Sequence, residues 1–123
     1  MKGELINSRA LYVEDDPDTC DLVEIWLDIH GCKVTTARTA AEALRLANTS
    51  KFDIYILDNW LPDGSGIELC QQIRAIDSQT PIIFFSGAAY RHDREQGISA
   101  GAQAYLTKPA DLDEFYETVA RLI

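Results

Sequence analysis

The chain has 123 residues, of which 46% are hydrophobic and 25% are charged, as in an ordinary globular protein. This length predicts one domain with a core of its own. The formal net charge of −9 argues against direct binding to a nucleic-acid backbone or an anionic membrane, because basic surfaces supply most of the affinity for both.

Strand-like runs and helical patterns alternate from the start of the chain. The run "ALYV" at 10–13 predicts the first strand. Asp16 before Pro17 is typical of a helix start, and Gly31 ends the first helix. The predicted apolar stripe of this helix consists of Leu22, Ile25, Trp26 and Ile29.

A second strand, "CKVTTA", precedes the capping-box pair Thr39 and Glu42. The predicted buried stripe of the second helix consists of Ala40, Ala43, Leu44 and Ala47. The run "FDIYIL" predicts a third strand, which is apolar after Asp53 except for the Tyr55 hydroxyl. An apolar run of this kind favours a central strand that is buried on both faces.

The second half of the chain continues the alternation. Pro81 introduces the fourth strand, "IIFF", and Gly101 leads into the fifth, "AYLT". The fourth helix, roughly 90–100, is polar nearly all round and contains Gly97, which makes it the weakest predicted element. The stripes of helices three and five are Leu69, Ile73 and Ile76, and Leu112, Phe115, Tyr116, Val119 and Leu122.

Five strands, each followed by a helix, predict an α/β fold with a parallel sheet and helices on both faces. We expect a flavodoxin-like doubly wound sheet of five strands, in the order 2-1-3-4-5, with five helices. Such sheets bind ligands beyond the carboxyl ends of their strands, at the switch point between strands one and three.

Residues with acidic, hydroxyl and amino side chains, together with a glycine and a proline, follow the strands at those carboxyl ends. They are Glu14, Asp15 and Asp16 after strand one, Asp58 after strand three, Ser86 with Gly87 after strand four, and Thr107, Lys108 and Pro109 after strand five. Several carboxylates cannot share a crevice fully ionised, so they need either protons or a hard divalent cation. Acids supplemented by main-chain carbonyls suit Mg²⁺.

Lys108 adds a positive charge from the opposite side of the predicted crevice. A crevice with Mg²⁺, a lysine and a hydroxyl suits a phosphoryl group, and Asp58 is then a candidate nucleophile. The turn at 62–64, Pro-Asp-Gly, lets the loop after Asp58 wrap around the ion. We expect Asp63 to be a turn residue and Asp16 to cap the first helix rather than bind the metal.

The segments "LYVEDD", "ILDNWLPDGSGIEL", "IIFFSGAA" and "GAQAYLTKP" resemble, in order and spacing, the receiver domain of two-component response regulators. The resemblance covers essentially the whole chain and implies a single receiver domain over residues 1–123. It implies that Asp58 accepts a phosphoryl group from a histidine kinase or histidine phosphotransfer protein, in a self-catalysed reaction that turns over no small-molecule substrate.

The resemblance also implies roles for the other residues at the strand ends. The expected ligands of Mg²⁺ (or Mn²⁺) are Glu14, mainly through water, Asp15, Asp58 and the main-chain carbonyl of Trp60. Ser86 and Lys108 would contact the phosphoryl group, and Ser86 and Tyr105 would form the switch. Helix four, strand five and helix five would then meet a downstream output domain or protein.

Asn59 and Trp60 depart from the commonest pattern of the family at the two positions after the phosphoacceptor. Trp60 is bulky, and we hypothesise that its side chain overhangs the site and screens attacking water. Ala110, after Lys-Pro, replaces a residue that is often larger and apolar, which affects local packing rather than the chemistry.

Three other classes of function are alternatives for a chain with this fold. A dehalogenase-type phosphohydrolase needs a second Asp two residues after its nucleophile, where this chain has Trp60. A flavin or nucleotide site on this fold presents a Gly- or Ser/Thr-rich loop after strand one, where this chain has three acids. A receiver-like interaction module that is never phosphorylated stays open.

The odd set Cys20, Cys32 and Cys70 has no C-x-x-C spacing, which favours reduced, buried thiols over a zinc site. His30 and His92 are expected at the surface or at caps. The N-terminus lacks the apolar core of a signal peptide, and the longest apolar runs are too short to span a bilayer. We therefore expect a cytoplasmic protein. Because no output domain follows helix five in this sequence, we expect either a stand-alone regulator or a piece of a longer chain.

Overall fold

The computed structural model of the protein describes residues 5–123. Its strands in this range are β1 (Arg9–Val13), β2 (Lys33–Ala37), β3 (Ile54–Leu57), β4 (Trp60–Leu61), β5 (Gly64–Ser65), β6 (Ile82–Ser86) and β7 (Ala104–Thr107). Its helices are α1 (Pro17–Asp28), α2 (Ala40–Thr49), α3 (Gly66–Ile76), α4 (Arg91–Ser99) and α5 (Leu112–Leu122). The alternation of strands and helices predicted from the sequence is thus confirmed.

The main sheet has five parallel strands in the order β2-β1-β3-β6-β7. The short strands β4 and β5 pair only with each other, in an antiparallel hairpin. When this hairpin is set aside, the order is the predicted 2-1-3-4-5, so the flavodoxin-like doubly wound fold is confirmed. The switch point between β1 and β3 is where a ligand is expected.

The core consists of two apolar clusters, one on each face of the sheet. Side chains alternate along β1, so Tyr12 joins the cluster under α1 and α5, whereas Val13 joins the cluster under α2 and α3. The central strands β3 and β6 are buried along their whole length. Helices therefore cover both faces, as the apolar runs of these strands predict.

The helix starts follow the predicted caps. The Asp16 side chain accepts a hydrogen bond from the Thr19 N–H at 3.0 Å, and the Thr39 hydroxyl accepts one from the Glu42 N–H at 3.1 Å. Such caps satisfy backbone donors that have no partner inside the helix. The carboxylate of Glu42 turns to the N–H of Arg38 instead of closing a full capping box.

The predicted stripe of α1 is wrong for three of its four residues. Leu22, Ile25 and Ile29 are 45%, 58% and 66% exposed. The buried residues are Cys20, Val23 and Leu27, and Trp26 packs beside them against the core. The helix carries two apolar stripes two residues apart, hence on nearly opposite faces, and periodicity alone does not decide which one faces the sheet. Ile76 and Leu112, at helix ends, are also exposed.

His30 is buried rather than at the surface as predicted. Its ring centroid lies 4.0 Å from that of Tyr116, because the C-terminal end of α1 packs against α5. His92 is exposed, as expected. The three cysteines are buried and free, which confirms that prediction. Between residues 5 and 123, we find no helix long and apolar enough to cross a membrane.

Candidate functional site

The carboxyl ends of the central strands bring the predicted site residues together. Val13 pairs with Leu57, so β1 and β3 end in register, whereas β6 continues two residues beyond its pair Leu57–Phe84, to Ser86. Glu14 and Asp58 therefore leave adjacent strands side by side. Ser86, at the end of β6, pairs with Thr107, and this register places Lys108 beside the same crevice.

Asp58 is 5% exposed, and each of its carboxylate oxygens has a donor nearby. Oδ1 accepts hydrogen bonds from the Ser86 hydroxyl at 2.7 Å and from the Trp60 N–H at 3.3 Å. Oδ2 lies 3.3 Å from Nζ of Lys108. These contacts compensate the burial of the charge and fix the direction in which the carboxylate points.

The Ser86 hydroxyl is fully buried, and its orientation is determined by its neighbours. It accepts hydrogen bonds from the N–H groups of Asn59 at 3.3 Å and Ala88 at 3.1 Å. With its lone pairs engaged by these donors, its proton is directed to Asp58. The hydroxyl thus joins the β3–β4 loop to the segment after β6.

Lys108 connects two acids of the crevice. Its ammonium contacts Glu14 Oε1 as well as Asp58. Burial raises the pKa of Glu14, and the charge of Asp58 adds to this effect, while the hydrogen bonds from Lys108 and Tyr12 oppose it. Burial lowers the pKa of Lys108, but the hydrogen bond to Glu14 and the two negative charges outweigh it and leave the pKa raised. The Lys108–Pro109 peptide bond is cis.

Tyr12 belongs to the site, although the sequence predicts only that it lies in the first strand. Its hydroxyl donates a hydrogen bond to Glu14 Oε1 at 2.9 Å. Burial raises the pKa of Tyr12 well above its usual value, and the neighbouring charge of Glu14 adds to the shift, so the hydroxyl remains a donor. The pattern that reveals it is a tyrosine two residues before the acid, on the same face of the strand.

The acids of the crevice fit a hard divalent cation. Glu14, Asp15 and Asp58 each offer a carboxylate oxygen, and these oxygens lie within 4.8 Å of one another. Glu14 and Asp58 are buried, whereas Asp15 is exposed. An all-oxygen group of this size and charge is the donor set that Mg²⁺ and Mn²⁺ take. The N–H of Trp60 contacts Asp58, so the Trp60 peptide borders this group.

Tyr105 lies one residue away from the Ser86 network. Its hydroxyl donates to the carbonyl of Ala88 at 2.6 Å, and the N–H of Ala88 donates to Ser86. The half-buried ring stacks on Phe84 with centroids 5.2 Å apart. Ser86 and Tyr105 are therefore connected through a single residue, Ala88.

The loop after Asp58 contains two residues whose positions the sequence predicts only coarsely. Trp60 is 65% exposed, and its indole lies at the rim, 3.5 Å from where a Cβ at Gly87 would be. Asp63 does more than form a turn, because its carboxylate accepts hydrogen bonds from the N–H groups of Ala40 at 2.8 Å and Ala41 at 3.0 Å. It therefore ties this loop to the start of α2.

Comparison with known proteins agrees with this geometry. The family model described as the response regulator receiver domain matches residues 10–120. An uncharacterized transcriptional regulatory protein of Bacillus subtilis, YrkP, is 41% identical over 111 residues, which are 90% of this chain and 47% of the relative. The chain thus spans about half the length of this curated relative.

Solved structures show the same fold. A two-component response regulator from Clostridium difficile has a TM-score of 0.90 at 26% identity, covering 94% of this chain and 95% of that one. The receiver domain of the sensor histidine kinase PA1611 from Pseudomonas aeruginosa, solved with magnesium in its active site cleft, has a TM-score of 0.86 at 31% identity, covering 94% and 96%. The chain therefore belongs to the response regulator receiver domains, the signalling domains of two-component systems.

Proposed function

We propose that the protein is a phosphorylation-controlled switch in which Asp58 accepts a phosphoryl group from a histidine kinase or a histidine phosphotransfer protein. The observation that carries the proposal is the position of Asp58. It is a buried carboxylate at the end of a central strand, held by the Ser86 hydroxyl and faced by Lys108. A carboxylate fixed in this way is poised for in-line attack.

In the proposed transfer, a carboxylate oxygen of Asp58 attacks the phosphorus of the donor phosphohistidine. The new P–O bond forms as the P–N bond breaks, and the imidazole nitrogen keeps the electron pair. Lys108 neutralises part of the charge that reaches the crevice, and Ser86 supplies a hydrogen bond to a phosphoryl oxygen. Asp58 is already oriented by the contacts described above.

We assign the cation as Mg²⁺, or Mn²⁺ in its place. Glu14, Asp15, Asp58 and the main-chain carbonyl of Trp60 would hold it, and the cation would supply charge stabilisation to the transferring phosphoryl group. The close approach of the three carboxylates supports this assignment. The magnesium described in the PA1611 receiver domain supports it further.

The output surface is proposed to be the face formed by α4, β7 and α5. Phosphorylation would shift the Ser86 hydroxyl from the carboxylate oxygen of Asp58 to a phosphoryl oxygen and, through Ala88, change the position of Tyr105. This face would contact a downstream output domain or protein. The transcriptional name of the Bacillus relative supports an output of that kind. Amide exchange tests the proposal: α4 amides that match β3 amides in protection, with and without phosphorylation, would contradict it.

The proposed compartment is the cytoplasm. The three buried, free cysteines support it, because reducing compartments keep thiols unpaired. The acidic composition supports contact with proteins rather than with nucleic acid or membranes.

Intact-mass measurement after incubation with acetyl phosphate and Mg²⁺ tests the function. We expect a gain of one phosphoryl group, which Asp58→Asn abolishes and a chelator prevents. The matched control is Asp21→Asn, a change of an exposed acid on α1 that should leave the gain intact. A folded wild-type protein that gains nothing from acetyl phosphate or from a phosphorylated histidine donor would instead favour the unphosphorylated interaction module.

A further inference from the structure

One buried polar group near the candidate site has no part in the proposed transfer, namely the hydroxyl of Tyr12. The ring of Tyr12 is fully buried in the cluster beneath α1 and α5. The hydroxyl donates to Glu14 Oε1 at 2.9 Å. Tyr12 and Glu14 are two residues apart, and this spacing directs both side chains to the same face of the sheet.

The hydroxyl is not explained by core packing. The surrounding cluster is apolar, with Val23, Leu27 and Ile56 among its members, and a phenylalanine would fill nearly the same volume. A hydroxyl at zero exposure costs free energy unless it is hydrogen-bonded, and the partner that the structure provides is the Glu14 carboxylate. The Tyr12 hydroxyl is therefore paired with Glu14, one of the three clustered acids that could hold a cation.

The other hydrogen bonds to the Glu14 carboxylate are less firmly held than the one from Tyr12. Oε1 also contacts the ammonium of Lys108, which is on a flexible stem and, in the proposed transfer, turns to the phosphoryl group. Oε2 accepts a long hydrogen bond, 3.3 Å, from the Asp16 N–H. Tyr12, whose ring is enclosed by the core, has no such freedom to turn.

We infer that Tyr12 is a positioning residue for the divalent cation: its hydroxyl holds the Glu14 carboxylate in the orientation that the cation requires. The inference rests on the proposed function, since it assumes the metal site. Groups that hydrogen-bond to metal-ligating carboxylates fix the orientation of the ligand, and their loss weakens metal binding. Without the hydroxyl, Glu14 would rely on Lys108 alone at Oε1 and would have to reorganise when the cation binds.

Calorimetric titration of Mg²⁺ into the unphosphorylated protein tests the inference without relying on activity. We expect Tyr12→Phe to weaken binding roughly tenfold, at the lower end of the range typical for such partners. The matched control is Tyr55→Phe, which removes a hydroxyl from an equally buried tyrosine on the other face of the sheet. This control should leave the affinity unchanged, and urea unfolding of both variants checks that they are folded.

Glu14→Asp gives a second, independent route to the same interaction. The shorter carboxylate does not reach the Tyr12 hydroxyl, so we expect weaker Mg²⁺ binding and no further loss when Tyr12→Phe is added. Wild-type affinity in Tyr12→Phe, or an undiminished loss in the Glu14→Asp background, overturns the role of Tyr12 while the metal site stands. A wild-type protein that binds no Mg²⁺ overturns the metal site and the role of Tyr12 together.

Discussion

Gly97 of α4 lies directly against the ring of Tyr105 in β7. A Cβ atom at position 97 would stand 2.9 Å from Cδ2 of Tyr105 and 3.1 Å from Cδ2 of Phe84. Side chains do not normally approach one another so closely. The glycine that weakens α4 as a helix therefore allows the helix to rest on the stacked pair Tyr105 and Phe84.

Gly97→Ala should reveal this contact through the sign of its effect on stability. In an exposed helix position the change would stabilise the protein by about 0.5–1 kcal/mol. Here we expect destabilisation by about 1–3 kcal/mol, the usual cost of overpacking, with a displaced Tyr105 ring. Urea unfolding measures the first effect and the ring resonances of Tyr105 the second. Gln96→Ala, at an exposed position of the same helix, is the control, and a stabilised Gly97→Ala protein would refute the close contact.

Trp60→Ala should shorten the lifetime of the phosphorylated protein. The exposed indole lies near Gly87 at the rim of the crevice, where we expect it to limit the approach of water. We expect hydrolysis to be several-fold faster in Trp60→Ala and close to wild type in Trp60→Phe, which keeps a ring. The decay of the phosphorylated mass after removal of the donor measures both rates. Equal decay in Trp60→Ala and wild type would rule out the screening role.

The sheet and its strand ends were predictable because each depends on local patterns that agree. Short apolar runs, turn residues and caps place the strands, and the parallel topology then brings Glu14, Asp58, Ser86 and Lys108 to one edge. Most of the candidate site follows from where strands end. Its residues did not need tertiary detail to be recognised.

Features that depend on which face of a helix packs against the rest of the protein could not be predicted from local patterns. The exposed stripe of α1 has the same period as the buried one, so only contact with α5 and the sheet selects Val23 and Leu27 over Ile25. His30 is buried for the same reason. The hydrogen bonds of Tyr12 to Glu14 and of Asp63 to the start of α2 were not predicted, because only the folded chain brings these partners together.

Arg74 should contribute strongly to stability without affecting the chemistry of the site. Its guanidinium donates to the carbonyls of Gly101, Asp77 and Thr80 at 2.7–3.1 Å. A lysine lacks the planar fork that reaches several acceptors at once, so we expect Arg74→Lys to lose about 1–3 kcal/mol. Arg91→Lys, at an exposed position, should change stability by less than about 0.5 kcal/mol. Equal urea midpoints for the two variants would contradict this assignment.

Asp63 should make stability depend on pH at the acid end. Hydrogen bonds from the N–H groups of Ala40 and Ala41 lower its pKa below the ordinary value of 3.8. The folded state thus favours the charged form of Asp63. The charged carboxylate contributes to the stability of the fold above pH 3.8, and this contribution is lost as the pH falls through the lowered pKa.

Thermal melts at several pH values check this dependence. At pH 6 we expect Asp63→Asn to melt at a lower temperature than wild type. We expect this difference in melting temperature to narrow as the pH falls below 3.8. Asp21→Asn serves as the comparison, since its acid is exposed on α1. A gap for Asp63→Asn that stays constant down to pH 2.5, roughly a full unit below the ordinary pKa of an Asp, would contradict the charge-dependent cap.

The most direct test of the central claim is to locate the phosphoryl group on the chain. Reduction of the phosphorylated protein with borohydride converts an aspartyl phosphate to homoserine, and peptide mass mapping then identifies the position. We predict homoserine at position 58, formed only when Mg²⁺ was present during phosphorylation and missing from Asp58→Asn. Homoserine at Asp15, Asp63 or any other acid, with Asp58 unchanged, would contradict the account.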